Sequence, residues 1–132
     1  MRNRIHSALA ATFLCFAVPV FAHHSTAMFD HSKELTVQGT VKSWQWTNPH
    51  SWLQLMARDA KGAVVEQGFE VGSPNTLFRN GWRANTFKPG DKVTIIAYPR
   101  KDSSVGGLLV AAQKPDGSWL TWLPKAARNS GK

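Results

Sequence analysis

The chain has 132 residues, with 16 Lys and Arg against 8 Asp and Glu, a net charge of +8, and one cysteine. That length allows one small domain with one modest core and leaves no room for a second. A lone cysteine excludes an internal disulfide or a cysteine-based zinc cluster, and the basic residues are scattered singly or in pairs such as Arg100-Lys101, so a nucleic-acid partner is not expected.

The chain opens as an export signal. Arg2 and Arg4 make a basic start, Ala8 to Val20 is an almost unbroken apolar run, and Val20-Phe21-Ala22 ends in the small residue that signal peptidase prefers. Cleavage there removes residues 1–22 and leaves 110, starting at His23. Cys15 leaves with the leader, and Phe13-Leu14 before it do not suit lipid attachment. The apolar run is shorter than the roughly 20 residues of a spanning helix, so the mature protein is expected to have no membrane span and to work outside the cytoplasm, in a bacterial periplasm. Losing Arg2 and Arg4 takes the basic residues from 16 to 14 against 8 acidic, a mature charge of +6.

Residues 23–34 are polar, lack periodic signal and read as an N-terminal segment before the domain at 35–124; residues 125–132 read as a flexible tail. Leu35, Val37, Gly39 and Val41 alternate with polar residues as a strand with one buried face. Trp44 and Trp46 then take the opposite parity, which a bulge would explain. Thr47-Asn48-Pro49 is a turn, and His50 opens a second strand with Leu53 and Leu55 on one face and Trp52, Gln54 and Met56 on the other. After the hairpin signal at Asp59 to Gly62, Val65, Phe69 and Val71 alternate with Glu66 and Glu70 in a third strand.

Ser73-Pro74 reads as a helix cap followed by proline at the first helical position, and Gly81 as the closing glycine. The helix is short, with Leu77 and Phe78 as its expected core contacts. Lys88 to Asp91 turns into a fourth strand bearing Val93, Ile95 and Ala97, Arg100 to Gly107 is a loop, Leu108 to Ala112 is a fifth strand, and Pro115-Asp116-Gly117 turns it into a sixth at Trp119 to Leu123. All-β with one short helix between strands three and four is the order of a small OB-like barrel of five to six strands.

In such a barrel the loops joining strands one to two and four to five flank the usual binding face. They bring forward Trp44, Trp46, Asn48 and Trp52 on one side and Arg100 and Lys101 on the other, aromatic and basic groups suited to a planar or anionic ligand. The histidines suggest a metal. A terminal His23 offers an α-amine, which titrates near pH 8, beside its own imidazole, and His24 and His50 are the foremost further ligands, ahead of His31 and the soft thioether of Met28. Nitrogen ligands of this kind favour copper. Glu66 and Glu70 read as a solvated face, and neither a nucleophile motif nor a phosphate loop supports catalysis.

The set His23-His24-Ser25, Met28-Phe29-Asp30, Gly39-Thr40-Val41, Thr47-Asn48-Pro49-His50, Gly81-Trp82 and Lys88 to Val93 resembles a bacterial family of small exported proteins classed as a domain of unknown function. The likeness spans His23 to about Leu123 and implies that the His-His-Ser start and the Asn-Pro-His turn belong to one family pattern, hence one joint site. The leading expectation is therefore a non-enzymatic module that binds copper. The alternative is a metal-free envelope module that binds an anionic or aromatic small molecule, a glycan or a partner protein, and an oxidative copper enzyme stands behind both.

Overall fold

The structure, a computed structural model, describes residues 26–123. The expected leader, His23, His24 and the expected tail at 125–132 lie outside the described residues.

Six strands form in chain order: β1 (Leu35–Gln45), β2 (Trp52–Arg58), β3 (Val64–Glu70), β4 (Lys92–Pro99), β5 (Gly107–Gln113) and β6 (Trp119–Thr121), with one helix, α1 (Pro74–Arg79), between β3 and β4. The sheet order is β3-β2-β1-β4-β5-β6, and a parallel pairing of Phe69 with Gly107 and Glu70 with Leu108 joins β3 to β5. Five strands thus close into an OB-like barrel, with β6 outside as a hairpin on β5. None of the described helices is long and apolar enough to cross a membrane.

The period-two pattern sets the core. Leu53 and Leu55 of β2, Phe69 of β3, Ile95 of β4 and Leu109 of β5 are fully buried inside the barrel, and each such side chain stabilises by about 1.5–3 kcal/mol. The register of β1 on β2 shifts between Val41 and Ser43, the bulge that moves the tryptophans to the inward parity. Trp44 then meets Trp82 and Phe87 with ring centres 5.9 and 5.7 Å away, and its Nε1 donates to the Arg83 carbonyl at 3.0 Å.

Helix α1 starts on Ser73, whose Oγ accepts from the Thr76 amide at 3.4 Å, and stops before Gly81, at φ +86°, a conformation in which glycine has no Cβ to strain. Leu77 is buried as expected, but Phe78 is 57% exposed. Adjacent helical positions point about 100° apart, so six residues bury one of the pair, and the Arg83 guanidinium covers the ring of Phe78 from 4.0 Å. Trp82 is fully buried, Trp122 donates to the Leu109 carbonyl, and Trp119 is 46% exposed at the β5–β6 hairpin.

The N-terminal segment is not a loose linker. Phe29 is buried with Tyr98, Leu108 and Val110 on the outer face of β4 and β5, a second small core that explains why β5 is buried on both faces. The backbone follows the ring: Asp30 N donates to Pro99 O at 2.8 Å and Lys101 N to Met28 O at 2.9 Å, pairing Phe29 with Arg100.

Candidate functional site

His50 lies just ahead of β2, after a cis Asn48–Pro49 bond, and the Thr47 hydroxyl donates to its carbonyl at 2.8 Å. Leu53 and Leu55 face inward, so the even-numbered His50 and Trp52 face outward, as does Glu70, which pairs with Trp52 in register. Nδ1 of His50 lies 2.5 Å from Oε1 of Glu70, and the two side chains are 29% and 14% exposed. In a neutral imidazole that contact puts the proton on Nδ1, donating to the carboxylate, and the nitrogen lone pair on Nε2, the arrangement of a histidine oriented for a metal. Glu70 is the residue the strand pattern alone reads as solvated charge; only the β2–β3 register brings it to His50.

His31 sits in the docked N-terminal segment. Its Nε2 donates to the Thr26 carbonyl at 3.0 Å, and its ring lies 4.7 Å from that of Tyr98. Met28 is 47% exposed. The neighbouring Asp30 carboxyl is held down at about 2, first by the Ser32 hydroxyl and then by the Lys33 ammonium 3.1 Å away. Among the described residues no three His, Asp or Glu side chains stand together as a ready-made metal cluster.

The aromatic and basic candidates separate. Trp44 and Trp46 pack together, 5.8 Å between centres, against the interior core. Asn48 is exposed in the turn and Trp52 is half-buried on the outer face of β2. Arg100 and Lys101 instead line a cavity of about 560 Å³ where β1 begins, and share it with Lys33 and with Arg58 at the end of β2. None of the tryptophans lines that cavity. Lys33 and Arg58 are site candidates that the sequence pattern does not single out, because only the docked N-terminal segment and the fold of β2 gather them.

The chain belongs to a family of unknown function, DUF6152, whose model matches residues 11–120. No curated protein matches it. Among solved structures it is similar to the mitochondrial single-stranded DNA binding protein Rim1 of S. cerevisiae, at 8% identity and a TM-score of 0.46, over 62% of this chain and 92% of that one.

Proposed function

We propose that this family member is an exported, non-enzymatic binding module that holds a transition metal, copper by preference, at a site joining the N-terminal His23 to His50, with His24 as a further ligand. One observation carries the reading: the His50–Glu70 pair lies on the same outer face of the barrel that receives the segment following His23 and His24. Glu70 pairs with Leu108, and Leu108 with Tyr98 under Phe29. Two strand spacings, roughly 10 Å, thus lie between the pair and the docked segment. A stretch of three residues, 23–25, can reach at most about 10 Å from Thr26, a length of the same order as that separation.

An amine and two imidazoles suit Cu(II), and the half-exposed thioether of Met28 suits Cu(I). The bacterial periplasm is the compartment this reading requires, since cleavage there creates the amine. Nucleic acid is the poorer partner, because the outward face of β3 carries Glu66, salt-bridged to Lys42, and Glu70. The metal-free alternative draws its support from the cavity at Arg100 and Lys101.

The test is a calorimetric titration of Cu(II) into protein with a correctly cleaved N-terminus and into the same protein with one alanine ahead of His23. Submicromolar binding that the extra alanine abolishes supports the site, and equal, weak binding by both forms excludes it.

A further inference from the structure

The end of the barrel where β1 finishes is plugged: Trp44, Trp82 and Phe87 fill it beside α1. The other end, where β1 begins, is open and basic. Its cavity collects Lys33 from the N-terminal segment, Arg58 from the β2–β3 hairpin and Arg100 and Lys101 from the β4–β5 loop. Three separate stretches of chain thus bring cations to one mouth, the kind of place where small β-barrels bind ligands.

Arg58 also lines two further cavities. One, with Thr36, Val37 and Gln38, leads away from the mouth over β1. The other, of about 550 Å³, continues between β2 and β4 past Thr40 and Thr94 to Lys92 and Lys114. Neighbouring cavities share lining residues, Thr36, Val37 and Arg58 between the first two and Gln38 and Arg58 between the next, so the three adjoin as one track. From Pro99 to Thr94 along β4 it runs roughly 17 Å at the rise of a strand.

Six cations line this track against two lining carboxylates, Asp30 and Asp59, and two more carboxylates beside it, Asp102 and Asp116, pair with Arg100 at 3.7 Å and Lys114 at 3.3 Å. Both lining carboxylates are already engaged, Asp30 by Lys33 at 3.1 Å and Asp59 by the Lys61 and Ala63 amides at 2.9 Å each. Between the cations lie neutral hydroxyls and amides: Thr36, Gln38, Thr40, Gln67, Thr94 and Gln113. No aromatic ring is among the lining residues of the three cavities.

We propose that this track binds an acidic oligosaccharide, a short chain of sugars bearing carboxylates. The spaced cations match acid groups at intervals, with the planar Arg58 guanidinium, whose Nη1 donates to the Gly62 carbonyl at 2.7 Å, offering its remaining N–H groups to a carboxylate, and the Thr and Gln side chains match the hydroxyls between them. The missing rings argue against single-stranded nucleic acid, whose bases gain their binding energy by stacking on aromatic side chains. The site is separate from His50 and Glu70 and needs no metal, so it stands or falls apart from the copper reading.

The experiment titrates chelator-treated mature protein with an oligogalacturonate, a malto-oligosaccharide of equal length and a thymidine oligonucleotide. The expected result is saturable binding of the oligogalacturonate alone, weakened about tenfold or more by R58Q and by K101Q. The same charge removed off the track, in K88Q or R79Q, leaves it nearly unchanged. Thermal melts confirm that each variant is folded, and R58K, which keeps the charge and loses the fork, falls between wild type and R58Q. Equal losses from on-track and off-track variants, tighter binding of the oligonucleotide, or no oligogalacturonate binding would each overturn the proposal.

Discussion

Three carboxylates set the chemistry at the smallest scale. Glu70 holds the His50 imidazole by Nδ1, and partners of this kind are worth roughly 10- to 100-fold in metal affinity. E70A should therefore lower Cu(II) affinity by about tenfold or more while leaving the α-amine and all histidines in place, as measured by competition against a chelator of known strength. Asp30 acts on stability. Its folded pKa of about 2 lies below the ordinary 3.8, and Asp116, bonded by Ser118, is held at about 2 in the same way. Depressed acids contribute stability that is complete above the unfolded value and is lost as pH falls toward the folded one. The urea midpoint should fall between pH 4 and pH 2, and a D30N/D116N variant should show a shallower fall in that window. His50 was visible in the sequence because histidine is rare and sits at a turn. Glu70 was not, because its meaning depends on which residue the neighbouring strand sets opposite.

At the scale of elements, alternation located β1 to β5 and the Ser73, Pro74 and Gly81 signals located α1, because those patterns are local. The N-terminal segment escaped for the opposite reason. Phe29 stands with Ala27 and Met28 in an otherwise polar stretch that has no periodic pattern, and its burial depends on Tyr98 and Leu108, far along the chain. Phe29→Ala should cost about 3 kcal/mol or more as a fully buried aromatic lost. It should also lift hydrogen-exchange protection from the Asp30 and Lys101 amides, whose bonds join the segment to the loop after β4. If the segment carries the copper ligands, the same substitution weakens Cu(II) binding in protein that is still folded. A second backbone constraint lies in the β4–β5 loop. Gly106 has φ +92°, and a Cβ there would collide with the Gly68 carbonyl. Gly106→Ala should destabilise by roughly 2–4 kcal/mol, combining a left-handed backbone with an overpacked contact, and lower the melting temperature accordingly.

Across the molecule, the position of one helix between the third and fourth strands was enough to indicate the barrel, since few small all-β topologies place it there. Which strands close it was not legible. The β3–β5 pairing is parallel and rests on two register pairs, and no local pattern announces it. That closure gives the barrel its two unlike ends and its continuous outer face, and so relates the basic mouth, the docked N-terminal segment and the His50–Glu70 pair. The same geometry places Trp44 and Trp46 against the core where β1 ends and Arg100 and Lys101 in the cavity where β1 begins. The most direct test is pulsed electron paramagnetic resonance of Cu(II) bound to the correctly cleaved protein and to its H50A variant. A site shared between the terminus and the barrel gives nitrogen couplings from at least two imidazoles, one of which H50A removes. Identical spectra from the two proteins would contradict it.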